Sequence, residues 1–448
     1  MERSLNRILS LCVLTLLLFS ACYAAKRPDW TKKEPLSNEY YYGVSTVSKS
    51  LSGYKDIARE NALKNISLQI SVQIKAELQT SETEISGINS SQFISSIQSS
   101  TGAILDDVEL YQVYETGKEY SACWRLSKIK YRMMREARKA LALSQALDLL
   151  GKYDEPGTEI SLGIGMLLNG LDLLESYVDM DLSTEYRGER IQLFNEFLSR
   201  LRSIPASLQP VIDPNELELV VKRTARTTCE VKLKGKDPLT CRHFPLSAVF
   251  SQGEGELAFD GFSDETGSMK LFIDKISSFE PLQTVTVSVN KDYFLPGIKS
   301  DAVRSIWQDL AFKEAMLTIH ALKPKIFLSY VTDSATDDEA VKKLCGRILE
   351  LDLGLADTPK DAHYYLEIKV STREGAYIQE LGAWSAFANV RMNLTDPATN
   401  NVVYSASYDN IKGTGKTVPL ALQRARQSAA NYLVNEVLYS NVAKLIYR

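Results

Sequence analysis

The sequence predicts a multidomain α+β protein: a small α/β domain, a helical connector, a β-sandwich and a C-terminal α/β domain. Three observations carry this. The chain has 448 residues with ordinary hydrophobic (44%) and charged (24%) content, enough for several cores. Apolar spacing is helical across residues 131–204 and alternates in short runs after 215. Strand and helix patterns then mix again to the C-terminus. The expected division is 1–21 leader, 22–132 α+β domain, 133–205 connector, 215–296 sandwich and 300–448 α+β domain.

The leader is set apart by pattern. Arg3 and Arg7 precede an apolar run from Ile8 to Phe19, then Ser20, Ala21 and Cys22. This is the layout of a bacterial export signal. The run is shorter than the roughly 20 residues a spanning helix needs. Phe19-Ser20-Ala21-Cys22 resembles a lipobox, which would make Cys22 a lipidated N-terminus, although leucine is usual where Phe19 stands. Cleavage after Ala24 or Ala25 would instead leave a soluble periplasmic chain. Both routes stay open, and both place the protein outside the cytoplasm.

In the first domain, Arg27-Pro28-Asp29-Trp30 suggests an extended segment with one aromatic anchor. Tyr40 to Ser45 predicts a strand reaching a turn at Gly43. Tyr54, Ile57, Ala58, Ala62 and Ile66 recur at helical spacing. From Ile66 to Leu78, apolar and polar residues alternate, which predicts that the helix stops between Ile66 and Gln69 and a strand follows. Residues 79–103, rich in Ser, Thr and Asn, suggest a loop or weak helix. Val108–Glu115 and Glu119–Ser127 flank Thr116-Gly117-Lys118 as a hairpin. In this order and spacing the stretch 26–132 resembles the Lpp-twenty family of bacterial envelope lipoproteins. The resemblance implies an outer-membrane, lipid-anchored protein with no common enzymatic activity, sometimes a structural part of surface machinery.

The connector predicts three helices. Met134, Ala137, Leu141, Ala146 and Leu149-Leu150 form one stripe ended by Gly151, and further helices are expected over Glu159–Val178 and Tyr186–Leu201. The pair around Gly151 resembles a single tetratricopeptide-like hairpin, too few repeats to stack alone. Pro205 and Pro210 to Pro214 suggest a linker. Alternation at Leu217/Leu219/Val221, Leu257/Phe259, Met269/Leu271/Ile273 and Val285/Val287/Val289 then predicts the sandwich. Its PLSAVFSQGEGEL and DETGSMKLFI runs resemble a bacterial immunoglobulin-like domain, which implies a spacer or adhesive platform. In the last domain, helices are expected over Ala302–Leu317 and Glu339–Leu351. Strands are expected at Pro324–Tyr330, Tyr364–Val370, Ala386–Leu394 and Val402–Tyr408. A final helix carries Ala421, Ala425, Ala429 and Leu433. This domain distantly resembles assembly domains such as that of the curli secretion channel subunit. Both α+β domains pair a Tyr-bearing strand and a glycine (Gly43; Gly413 and Gly415) with an alanine-spaced helix, as close helix–sheet packing would require.

Chemical motifs are few. Gly413-Thr414-Gly415-Lys416-Thr417 lacks the first glycine of a phosphate loop, since position 410 is Asn410, and it fits a turn starting the last helix. His243, His320 and His363 stand in no catalytic pattern. Asp333, Asp337, Asp338 and Glu339 lack the alternation and glycine of a calcium loop, which leaves a solvated helix start. No catalytic residue, metal or cofactor is assigned. Cys229 and Cys241 lie symmetrically about Gly235 and would face each other in a hairpin, which leaves either a disulfide or two buried thiols. A net charge of −4 argues against nucleic acid. The expectation is a non-enzymatic envelope component, with a membrane, envelope proteins or cell wall as partners and oligomers admitted. A periplasmic hydrolase with a dispersed carboxylate or histidine site is the alternative.

Overall fold

The computed structural model describes residues 27–80, 105, 107–224, 226–235, 241–333, 338–350 and 353–447. The leader, Cys22, Asp337 and most of the serine-rich stretch lie outside the described residues. The protein is a multidomain α+β fold of two compact units, Met1–Ser207 with Lys291–Ala311, and Leu208–Asn290 with Phe312–Arg448.

The first unit opens with strand β1 (Tyr40–Ser48), helix α1 (Tyr54–Thr80) and the hairpin β2 (Glu109–Glu115)/β3 (Glu119–Ser127). The sheet order is β1-β3-β2, antiparallel throughout. The predicted turn closes on Thr116, whose amide donates to the Glu119 carbonyl at 2.9 Å. The strand expected from Ile66 to Leu78 does not form, because α1 runs through it as one helix. Every second member of that alternation, Ile66, Ile70 and Ile74, is also four residues from the next and continues the Ala58/Ala62 stripe into the core. Leu68 and Val72, which a strand would have buried, are 53% and 68% exposed. A four-residue repeat hidden in a two-residue one lets the buried sheet decide. Gly43 does not turn the chain; it lies in mid-strand, where a Cβ would overlap the Ala62 carbonyl.

Helix α2 (Lys128–Tyr153) starts on Ser127, whose hydroxyl accepts from the Lys130 amide at 3.4 Å. It continues past the stop expected at Gly151 and is capped by Asp154, since a single glycine lowers helix propensity without ending a packed helix. Helix α3 (Ile160–Leu174) matches expectation apart from a final 3-10 turn. The expected helix start at Tyr186 is replaced by a hairpin, β4 (Ser183–Tyr186) and β5 (Glu189–Gln192). Arg187 and Gly188 both hold positive φ, 52° and 85°, as a two-residue hairpin loop requires. Helix α4 (Leu193–Ser207) follows and absorbs Pro205. Helix α5 (Asp301–Asp309) also belongs to this unit, where Asp172 of α3 accepts from the Lys299 and Ser300 amides at 3.0 and 2.7 Å.

An acidic knot ties α2 to α4. Asp154 binds Arg200 and accepts from Tyr186 Oη at 2.9 Å. Burial opposes its ionisation, but these bonds and the charges of Arg200 and Arg187 prevail, so it titrates below the usual aspartate value. Its contribution to stability is therefore present above the unfolded-state pKa and is lost as pH falls through the lower folded value. Asp154→Asn should flatten the acid side of the stability profile of this unit while changing its dependence above neutrality little, as read from urea midpoints from acid to neutral pH.

The second unit begins with β6 (Gln209–Asp213), β7 (Glu216–Val220), β8 (Thr227–Lys234), β9 (Leu246–Gln252), β10 (Gly255–Phe259), β11 (Ser268–Ile276), β12 (Leu282–Val289) and β13 (Ala315–Leu322). They form two four-stranded sheets, β10-β11-β8-β6 and β7-β13-β12-β9. The proline-rich linker is thus a strand: β6 pairs with β8 and sits at a sheet edge, where Pro210 costs no ladder bond. The helix expected to Leu317 stops at Asp309, and Leu317 and Ile319 are buried strand residues. The hairpin about Gly235 does not form, because β8 is already flanked by β6 and β11 while β9 lies in the other sheet.

The same unit continues with β14 (Lys325–Thr332), α6 (Asp338–Glu350), β15 (Gly354–Leu355), β16 (Tyr364–Ile378), β17 (Ala383–Asp396), β18 (Asn401–Gly415) and α7 (Val418–Tyr432), after which the chain stays helical to Tyr447. The sheet order is β15-β14-β16-β17-β18; β14 runs parallel to both β15 and β16, and the β16–β17 and β17–β18 pairs are antiparallel. Alternate residues such as Leu366, Ile368, Val390 and Met392 pack with Ala421, Ala425 and Ala429 of α7 in one core. All three long strands overrun the expected bounds.

Candidate binding pocket

A cavity of about 210 Å³ lies within the first unit, lined by β1, α1, α2 and the turn after α3. Its back wall is an ion pair. Arg135 donates to Asp179 through Nη1 at 2.7 Å and Nη2 at 2.8 Å, and to the Ser176 carbonyl at 2.9 Å. The two side chains are 8% and 1% exposed. Arg135 reaches this place because it lies four residues after Tyr131 on the stripe that α2 buries. Burial disfavours its charge, yet the bonds and charge of Asp179 outweigh that and raise its pKa further.

The side walls are polar and aromatic. Tyr41 of β1 donates to Gln73 of α1 at 2.5 Å. Lys128 donates to the Ser37 carbonyl at 3.0 Å and stands 4.9 Å from the Tyr41 ring centre. Tyr131 meets Tyr41 edge to face at 6.0 Å. Ile70, Ile74 and Met180 supply apolar surface, and Arg132 and Glu136 stand at the exposed rim. Three cations therefore face two carboxylates, one of them, Asp179, consumed by Arg135. The lining thus offers one more cation than carboxylates, beside an apolar flank. Its one buried carboxylate is committed as a counter-ion, so it is not available as a general base.

The residues singled out in sequence do not gather here. Gly413 and Gly415 end β18, where a Cβ on either would overlap the α7 backbone at Ala421 or Ala425. Thr417 caps α7, its hydroxyl accepting from the Leu420 amide at 3.4 Å. His243 meets Glu265 at 3.1 Å, His320 lies on β13, and His363 accepts from the Lys325 amide at 2.8 Å, three separate places. Burial, then Arg223 and Lys325, lower the His363 pKa. Asp333 accepts from Thr372 N and Oγ1 at 2.7 and 2.5 Å and faces Arg426 Nη1 at 3.4 Å. Among the described residues no cluster of three or more His, Cys, Asp or Glu is placed to hold a metal ion. Cys229 and Cys241 are buried thiols, and burial raises the pKa of Cys229. A second, more open groove of about 390 Å³ runs between α6 and the β14/β15 edge, with Lys342, Lys343 and Arg347 along it.

No family model matches the chain. No curated protein matches it. Bacterial lipoproteins occur among solved structures with local likeness. A minor lipoprotein from Acinetobacter baumannii is 14% identical over 28% of this chain and 92% of its own, with a TM-score of 0.20. A lipoprotein from Neisseria meningitidis is 10% identical over 25% of this chain and 99% of its own, at 0.18. The PelC dodecamer from Paraburkholderia phytofirmans is 19% identical over 25% of this chain and 87% of its own, at 0.17.

Proposed function

We propose that the protein is a lipid-anchored, non-enzymatic component of the bacterial envelope that acts in structure or assembly and binds protein or cell-wall partners. The observation that carries this reading is the succession of an export-type N-terminus ending in Cys22 and a strand–helix–hairpin domain in which Gly43 seats α1. The basic pocket of Lys128, Arg132 and Arg135 suits a carboxylate or similar group on such a partner. The β6–β13 sheets would act as an immunoglobulin-like spacer. An assembly role is favoured by β18, a 15-residue strand at the sheet edge with Val402 and Val403 exposed.

The test is mass spectrometry of the mature N-terminus, after fractionation of a bacterial host expressing the full chain. The expected product begins at an acylated Cys22 and sediments with membranes, and Cys22→Ala removes the acyl group and weakens that attachment. An unmodified chain beginning at Ala25 or Lys26 would replace the anchored form with a soluble one. An uncut leader on cytosolic protein would overturn the reading.

A further inference from the structure

The β16–β17 hairpin carries its sheet to a blunt end that the core of the unit does not use. Tyr377 pairs across with Trp384, and Trp384 pairs with Gly415 of β18. Beyond this rung Ile378 pairs with Ala383, and the chain then makes a 3-10 turn, Gln379–Leu381, and reverses at Gly382, whose φ is 56°. The end is well braced: Ser385 Oγ donates to the Ala376 carbonyl at 2.8 Å, and the Tyr377 and Trp384 rings meet edge to face at 5.4 Å. Yet it presents apolar surface to solvent, with Leu381 65%, Tyr377 48% and Trp384 36% exposed.

The surrounding charge has a direction. Lys416 follows Gly415 directly, Arg424 of α7 donates to the Thr414 carbonyl at 2.9 Å, and Lys412 lies opposite Phe387. Glu374 and Glu380 are the acids of this end. From the apex, Leu381 comes first with Glu380 beside it, then the Tyr377–Trp384 pair, then Lys416 and Arg424, so the aromatic and cationic layers follow the depth order of headgroup boundary and phosphate. Three side chains can remove only a few hundred Å² from contact with water, below the roughly 800 Å² per partner of a stable protein interface. A shallow bilayer contact reinforced by charge needs no such area.

We propose that this hairpin end docks on a bilayer, with Leu381 entering the acyl boundary, Tyr377 and Trp384 at headgroup depth, and Lys416 and Arg424 on anionic phospholipid. The contact is independent of acylation, so it is tested on the full chain carrying Cys22→Ala. The probe is sedimentation with vesicles of phosphatidylglycerol and phosphatidylethanolamine, with quenching of Trp384 by brominated acyl chains alongside. Leu381→Asp should weaken partitioning about tenfold or more, the scale of losing one buried leucine. Lys416→Glu with Arg424→Glu should weaken it on phosphatidylglycerol vesicles and not on phosphatidylcholine vesicles. Leu381→Ser, a milder change at the same exposed apex, should weaken partitioning too, with the urea midpoint of either variant unchanged. Absence of vesicle binding, or binding that Leu381→Asp leaves unchanged, would overturn the proposal. So would self-association, seen in sedimentation velocity, that Leu381→Asp abolishes, since that would assign the apex to a second copy.

Discussion

Asp179→Ala should cost the first unit about 3–5 kcal/mol, the scale of leaving a buried charge without its partner. Arg135 is 8% exposed and makes three hydrogen bonds, two of them to Asp179. Removing the carboxylate leaves a largely buried guanidinium that cannot lose its proton and keeps only the Ser176 carbonyl as a partner. Arg135→Met with Asp179→Leu should recover most of the loss, because the desolvation of both charges disappears together. The measurement is a urea titration followed by tryptophan fluorescence in a Trp384→Phe background. Trp30, Trp124 and Trp307, all in the first unit, then supply the signal. If the double variant were as unstable as the single one, shape rather than charge would set the cost. The double variant lacks the Arg135 cation of the back wall, so binding of an anionic ligand should not return with stability.

Gly43→Ala should cost about 3 kcal/mol or more, at or above the upper range for overpacking. A Cβ there would overlap the Ala62 carbonyl oxygen and carbon, and backbone cannot swing aside as a side chain can. The added methyl group would push α1 off β1 and open the Ile66 contact beneath it. Gly413→Ala should act likewise in the second unit, where the obstacle is the Ala425 and Ala421 backbone. Gly117→Ala, in open space on the hairpin turn, should change little and serves as the control. The comparison uses the same urea titration for Gly43, and Trp384 emission for Gly413.

This packing is legible in the sequence because it leaves a paired trace, a glycine on a strand and alanines four apart on a helix. Other features leave misleading traces. The Ile66–Leu78 alternation fits a strand and a helix face equally, and only the sheet beneath α1 chooses. Pro210 reads as a linker because β8, the neighbour that places it on an edge, begins only at Thr227. The strand Ala315–Leu322 is hidden because its partners β12 and β7 lie outside any local window. The pocket itself has one signal, a charged Arg135 set within an apolar helical stripe. Its partner Asp179 lies 44 residues on in an irregular turn, where no spacing rule reaches.

The visit of residues 291–311 to the first unit has a consequence for synthesis. Trp307 is fully buried there, set edge to face against Phe294 and bonded to the Lys291 carbonyl. During translation that unit must wait, with part of its interior open, until Ala311 has left the ribosome. A gene cut at codon 208 would encode a polypeptide lacking its last internal wedge, and a chaperone would have reason to hold it.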